Sequence, residues 1–311
     1  EKITGYLPKF KKESFTILRR VGQGSFCSVH KVWHQPDQSS GREFALKTLN
    51  TIKKRSGEHI NTDEAYADLM KEAMILSTLD HKNIITLHGT CASASCPEEK
   101  YSLVMELLVG SLEKRLLNWE REMKAVLVPC KMFFNTAEVR YRIEDVALGI
   151  VNGMEYLHSR NIMHCDLKPA NIGFDQHNTI KIFDFGLSRK RTDTRTNDLP
   201  QKDLLSSLQR ESLCVGTPRY MAPEIANFRH AYAFSADVYS FGIVLWQLLT
   251  NQKPKTNKAA ILEGKHPPLI YVHSKLLRQL LKLCWAANRE IRPSFSSIKK
   301  TLHSFATKTN H

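Results

Sequence analysis

The chain changes its hydrophobic rhythm near residue 110. Before that point, short β-branched and aromatic runs alternate with turn residues: "FTILRRV" (15–21), "SVHKVW" (28–33), "EFALKTL" (43–49) and "YSLVMEL" (101–107). Runs of this length and composition predict strands. One helix interrupts them, because "ADLMKEAMILSTLD" (67–80) repeats Leu69, Ala73, Leu76 and Leu79 on one face among good helix formers. Beyond Ser111 the spacing turns helical in "YRIEDVALGIVNGMEYLHSR" (141–160), "SADVYSFGIVLWQLLT" (235–250) and "KLLRQLLKLCWAAN" (275–288). Residues 113–140 show little clean periodicity, and 188–215 are polar and rich in Ser, Thr, Lys and Arg, so both predict loops or insertions. The expectation is an α+β chain with a small antiparallel β-sheet lobe carrying one main helix, then a larger, mainly helical lobe. A length of 311 residues suits two lobes better than one core.

Composition narrows the class without naming a function. No run approaches the ~18 apolar residues of a membrane span, so no transmembrane segment is expected, and "EKITGYLPKF" at the start has no apolar signal core. The seven cysteines (27, 91, 96, 130, 165, 214, 284) are odd in number and scattered, with no zinc-type spacing. Reduced thiols in a cytoplasmic setting are the expectation. The formal charge of +14 would suit nucleic acid, yet the basic clusters at 9–12, 53–55 and 189–191 are short, far apart and without interleaved aromatics. No nucleic-acid partner is expected. Acidic partners or anionic surfaces are favoured instead.

Several stretches carry chemistry. "VGQGSFCSV" (21–29) has paired glycines that let backbone N–H groups approach a phosphate, though glycines in a hairpin mostly just make turns. No Gly-Lys-Ser/Thr follows, so it is not a Walker A loop. Lys47 ends the apolar strand "FALK" and needs an acid if buried; Glu72 on the helix is the candidate. "NIMHCDLKPANIGF" (161–174) and "IKIFDFG" (180–186) supply Asp166, Lys168, Asn171 and Asp184. Two carboxylates and a carboxamide are hard oxygen ligands that suit Mg²⁺, and through it phosphates. An acid free of metal can accept a hydroxyl proton, and a lysine beside it can neutralise a transferring phosphoryl group.

With "GTPRYMAPE" (216–224), "SADVYSFGIVLWQ" (235–247) and "CWAANREIRPSF" (284–295) following in order, the chain resembles the eukaryotic protein kinase family from Val21 to Pro293. The resemblance implies a bilobal kinase fold and transfer of the ATP γ-phosphoryl group to protein substrates with Ser/Thr acceptors. It divides the chain into an N-terminal extension (1–14), an N-lobe (15–105), a hinge and C-lobe (106–305) and a tail (306–311). It implies that Val21, Gly22, Gln23, Gly24, Ser25, Phe26, Cys27, Ser28 and Val29 cover the nucleotide and that Val29 and Ala45 pack on adenine. Met105 would sit behind the ring, with the backbone of Glu106 and Leu108 along its edge. Lys47 would contact the phosphates and pair with Glu72. Asp166 would take the acceptor proton, Lys168 would steady the phosphoryl group, and Asn171 and Asp184 would hold Mg²⁺.

Glu224 and Arg292 resemble the family's buried ion pair, and Asp237 its brace for the catalytic loop. Leu76, Leu87, His164 and Phe185 match its internal hydrophobic column. Lys168 and Thr217 follow the serine/threonine pattern, while "DVYSFGIVLWQLLT" and "RPSF" are similar to the tyrosine-kinase-like group of serine/threonine kinases. Three positions depart from the family: Cys27 replaces the third loop glycine, Gly173 the large residue beneath adenine, and Cys165 the arginine before the catalytic aspartate. None removes an acid, base or metal ligand. A pseudokinase acting as a scaffold is the rival reading, and the presence of Lys47, Asp166 and Asp184 counts against it. The segment between Asp184 and Glu224 also offers Thr192, Thr194, Thr196, Ser206, Ser207 and Ser212 as acceptors for regulatory phosphate.

Overall fold

The computed structural model describes residues 7–24, 26–35, 41–50, 62–92, 101–125, 136–191, 216–227, 233–255 and 258–308. Ser25, Cys96, Cys130, Cys214, the basic cluster 53–55 and the six hydroxyls from Thr192 to Ser212 lie outside the described residues. The chain divides into two compact units. One comprises Glu1–Val109 with Asp175–Asn178 and Phe183–Gly186; the other comprises Gly110–Phe174, Thr179–Ile182 and Leu187–His311.

The first unit is built on a six-stranded sheet: β1 (Lys9–Lys11), β2 (Phe15–Gln23), β3 (Cys27–His34), β4 (Arg42–Leu49), β5 (Leu87–Ala92) and β6 (Ser102–Met105). The spatial order is β1-β5-β6-β4-β3-β2. The four strands expected from the pattern are present. The sheet is mixed rather than purely antiparallel, because β1 runs parallel to β5. A three-residue Lys-Phe-Lys strand carries no usable periodicity. It forms because Phe10 packs with Phe15 against a core of Val32, Phe44, Leu46, Cys91 and Val104. Strand β5, "LHGTCA", escapes the pattern as well, since its alternation is broken by Gly89 and by a bulge between Leu87 and Gly89.

Helix α1 (Thr62–Ser77) buries Leu69, Glu72, Ala73 and Leu76 on one face. It stops three residues short of the expected end, where the Ser77 and Thr78 hydroxyls donate to the carbonyls of Met74 and Ile75. Such local bonds offer the backbone an alternative to another helical turn.

The second unit begins with β7 (Gly110–Ser111) and α2 (Leu112–Ala125). The loop expected from residue 113 onward is thus a helix at least to Ala125. Its apolar stripe is narrow, with Leu112 and Leu116 buried and Trp119 half-buried one turn on, while mostly charged residues and an exposed Leu117 occupy the other faces. Helix α3 (Thr136–Tyr141) passes through a π-helical turn (Arg142–Ala147) into α4 (Leu148–Ser159). Short strands β8 (Ile162–Met163), β9 (Ile172–Phe174), β10 (Ile180–Ile182) and β11 (Arg189–Lys190) follow; β9 pairs with β7 and β10, and β8 with β11.

The remaining helices are α5 (Pro223–Ala226), α6 (Phe234–Thr250), α7 (Lys258–Leu262), α8 (Lys275–Cys284) and α9 (Phe295–Lys308). Every residue of α6 from Ala236 to Thr250 is buried, as its mostly apolar sequence favours, and the polar Asp237, Ser240, Gln247 and Thr250 are buried with it. Helix α8 is two-faced. Leu277, Leu280, Leu281 and Cys284 face the core, and Lys275, Arg278 and Lys282 face solvent. Arg292 fixes this end of the unit: its enclosed guanidinium forms a two-pronged pair with Glu224 at 2.6 and 2.9 Å and donates to the carbonyls of Ser235 and Ala286. That matches the buried pair expected from the sequence.

Candidate active site

In the first unit, strand register assembles one face. Gly22 lies opposite Val29, Val29 opposite Lys47, and Ala45 opposite Met105. Because side chains alternate with period two, these residues line the same side of the sheet. The hairpin between β2 and β3 closes through the Gly24 N–H donating to the Cys27 carbonyl at 2.7 Å. The Asn50 N–H donates to the Phe26 carbonyl, and the Asn50 amide to the Gly24 carbonyl. Phe26 stands exposed at the tip. Gln23 and Ser28 face each other across the hairpin.

Lys47 donates to Glu72 Oε2 at 2.6 Å and to Asp184 Oδ1 at 3.0 Å. Burial alone would lower the lysine pKa. The charges of Glu72 and then Asp184 outweigh it and hold Lys47 above its ordinary value, so it stays cationic at neutral pH. Burial pushes the Glu72 carboxyl up while Lys47 opposes it. Burial also raises the Cys27 thiol, with Lys47 opposing and the nearby carboxylates adding to the rise. Cys27 is therefore a protonated, weakly nucleophilic thiol. At the strand ends, the Glu106 N–H donates to the Thr86 carbonyl at 2.9 Å and the Thr86 N–H to Glu106 Oε2 at 3.2 Å. Leu108 is half-buried just beyond.

In the second unit, Asp166 is the centre of a tight network. Its Oδ2 accepts from Lys168 at 2.5 Å and from Asn171 at 3.0 Å. Its Oδ1 accepts from the Thr217 backbone at 2.8 Å and the Thr217 hydroxyl at 2.9 Å. Lys168 also reaches the Thr217 hydroxyl at 2.7 Å. The Asn171 amide nitrogen donates to the Asp166 carbonyl at 2.9 Å as well. With that nitrogen committed twice, the amide orientation is set and its oxygen is the atom left to act as a ligand.

The loop bearing Asp166 is held by Asp237, a carboxylate with no solvent exposure. Asp237 accepts the His164 N–H and the Cys165 N–H, each at 3.0 Å, and lies 2.9 Å from His158 Nε2. Sequence reasoning found Asp237 but missed His158, whose only signal was a histidine at the end of α4. Burial alone would raise the Asp237 carboxyl. The His158 hydrogen bond, the neighbouring imidazoles and the His164 N–H outweigh it and leave the group below its ordinary value. Between those anchored amides Cys165 adopts φ +67°, a conformation that non-glycine residues rarely take and that costs on the order of 1–3 kcal/mol. The thiol is fully enclosed. It is 2% exposed, with Sγ 3.7 Å from the Met163 carbonyl.

Of the four residues expected in a hydrophobic column, Leu76, His164 and Phe185 are buried and Leu87 is half-buried. Gly173 is buried in β9, opposite Lys181 and Ser111. No group of three or more His, Cys, Asp or Glu that could hold a metal occurs among the described residues. Asn171, in the second unit, and Asp184, in the first, each carry a hard oxygen of the kind that Mg²⁺ takes.

A sheet unit with a lysine bracketed by two acids, and a helical unit with a braced Asp-Lys-Asn loop, define a phosphotransferase of the kinase type. The chain belongs to the protein kinase domain family, ATP-dependent protein kinases, whose profile matches residues 15–304. It is 33% identical over 305 residues to dual specificity protein kinase shkA of Dictyostelium discoideum, covering 95% of this chain and 50% of that protein. It is 31% identical over 308 residues to receptor-interacting serine/threonine-protein kinase 1 of Homo sapiens, covering 96% and 41%. To receptor-interacting serine/threonine-protein kinase 4 of Mus musculus it is 30% identical over 316 residues, covering 94% and 34%. The chain thus spans half or less of the length of these relatives. Among the described residues no helix is long and apolar enough to cross a membrane.

The Asp237 brace carries a pH signature. A carboxyl whose folded value is depressed stabilises the fold above the ordinary carboxylate range and loses that contribution as pH falls through the depressed value. Asp237→Asn should cost about 2–3 kcal/mol at pH 7 and flatten the fall in stability between about pH 5 and 3, an interval set by the ordinary carboxylate value. Urea unfolding of both proteins across that interval checks it; parallel pH profiles would contradict it.

Proposed function

We propose that this domain transfers the γ-phosphoryl group of MgATP to serine and threonine hydroxyls of protein substrates. The observation that carries the reading is the Asp166–Lys168–Thr217 network. A carboxylate held by four donors is fixed in orientation, ready to receive an acceptor hydroxyl and its proton. Lys168, tied to both Asp166 and Thr217, would balance charge on the transferring group. The same Lys–Thr pairing supports serine and threonine as acceptors, although shkA bears a dual-specificity name.

In this reading Val21 to Val29 cover the nucleotide, Val29 and Ala45 pack on adenine, and Met105 lies behind it. The Glu106 N–H is already committed to Thr86, so recognition at that residue falls to its carbonyl, with the Leu108 backbone beside it. Lys47, oriented by Glu72, would contact phosphate oxygens, and Asn171 and Asp184 would hold Mg²⁺, which would supply neutralising charge to the phosphates. Cys165 has no fixed charge with which to grip a phosphate two-pronged. The catalytic loop is therefore competent through its Asp237 brace, with control exerted elsewhere, by flanking segments or partners. The domain acts in a cytoplasmic setting. Acidic partners or anionic surfaces are favoured by the net charge of +14, and the solvent-facing Lys275, Arg278 and Lys282 of α8 offer one basic surface for them.

Two outcomes follow. Asp166→Asn keeps the shape but lowers basicity, so kcat should fall at least a hundredfold, about 2.7 kcal/mol in barrier, with ATP affinity nearly unchanged. Steady-state kinetics with phosphoamino-acid analysis checks it; near-wild-type turnover, or phosphotyrosine as the main product, would contradict the assignment. Binding of an acidic peptide should weaken severalfold between 50 and 300 mM salt, as screening requires. It should weaken again when Lys275, Arg278 and Lys282 become Gln; salt-independent binding would remove the electrostatic reading.

A further inference from the structure

Residues 8–11 precede the matched family segment, which begins at residue 15, and no shared motif accounts for them. They nevertheless form a closely fitted strap on the outer edge of the first unit's sheet. Strand β1 aligns Lys9, Phe10 and Lys11 with Thr90, Cys91 and Ala92 of β5, and the Thr90 N–H donates to the Pro8 carbonyl at 2.9 Å. The Ser14 hydroxyl closes the strap by donating to the Lys11 carbonyl at 2.6 Å.

Gly89 is shaped to receive this strap. A Cβ there would run into the Pro8 carbonyl oxygen and come 2.7 Å from the Phe10 ring. Gly89 is not among the residues with positive φ, so its backbone would accept any side chain. Contact with the strap is what requires glycine.

The strap meets the sheet where β5 leads into the residues assigned above to adenine. The bulge between Leu87 and Gly89 lies one residue from the Pro8 contact, and Leu87 pairs with Met105. Thr86, the residue before, exchanges hydrogen bonds with Glu106. A second line of contact runs through rings. Phe10 lies 6.0 Å from Phe44, and Phe44 lies 5.2 Å from His88, the residue inside the bulge. Backbone and side-chain contacts thus converge from Pro8 and Phe10 on the bulge that fixes Met105 and Glu106.

We infer that Pro8 and Phe10, received by Gly89, are positioning residues for nucleotide binding. They hold the β5 bulge, and through it the Met105–Glu106 backbone, in register for the adenine edge. This rests on the assignment of that backbone to adenine. The strap touches none of the phosphate-handling or proton-accepting residues, so it acts on affinity for the base and leaves the chemical step alone.

The experiment compares the full chain with its Gly89→Ala and Phe10→Ala variants, each confirmed as folded by cooperative melting. The readouts are KM for ATP, kcat, and inhibition by adenosine, which carries the base without phosphates. Both variants should raise KM for ATP and the adenosine inhibition constant by the same factor, about tenfold, with kcat within twofold of the wild type. Adenosine that fails to compete with ATP in the wild type would overturn the adenine assignment and the inference with it. Adenosine that competes equally in all three proteins would overturn the inference alone, as would variants that merely melt earlier. A fall in kcat at unchanged KM would also overturn it.

Discussion

One buried carboxylate sets the geometry on which this domain's chemistry depends. Asp237 is cut off from water, and an isolated charge there would be prohibitively costly. It is retained because the His164 and Cys165 N–H groups point at its two oxygens while His158 closes the arrangement. The positive φ of Cys165 aims that N–H inward, so the carboxylate and the strained backbone sustain each other. Asp166 follows immediately and inherits a fixed starting point. Its side chain is then locked by Lys168, Asn171 and Thr217. No arginine is needed at position 165 for this chain of restraints, and the small thiol fills the space with 2% exposure.

The first unit solves a similar problem with opposite charge. Lys47 is largely buried, at 13% side-chain exposure, and would deprotonate more readily if alone. Glu72 and Asp184 reverse that tendency and keep the ammonium charged. Glu72 reaches the site because α1 buries it with Leu69 and Leu76 on one face. Lys47 reaches it because the β3–β4–β6 register places it beside Val29 and Leu103. Both units thus fix a functional ion by burial plus paired hydrogen bonds, a design that favours orientation over net stability.

The residues proposed above for the chemistry stand out in the sequence because they lie in short motifs whose residue types have few other uses. Lys47, Asp166, Lys168, Asn171 and Asp184 are polar groups in otherwise apolar or turn-forming surroundings. Long periodic segments such as α6 and α8 were equally plain. The parts that escaped depend on tertiary contact. Strand β1 is three residues long and exists through Phe10 packing; β5 is interrupted by a glycine that only the strap explains. Helix α2 hides behind a narrow stripe of Leu112, Leu116 and Trp119, with Leu117 exposed and mostly polar residues elsewhere. His158 gives no local sign that it faces Asp237, 79 residues away.

The central claim is that the braced loop is competent without a phosphate on the segment between Asp184 and Glu224. The direct measurement is kcat of the phosphatase-treated protein beside a variant with Thr192, Thr194, Thr196, Ser206, Ser207 and Ser212 all changed to Ala. The brace accounts for activity in both within severalfold of the untreated protein. A collapse of a hundredfold or more in either would show that a loop phosphate organises Asp166 despite Cys165.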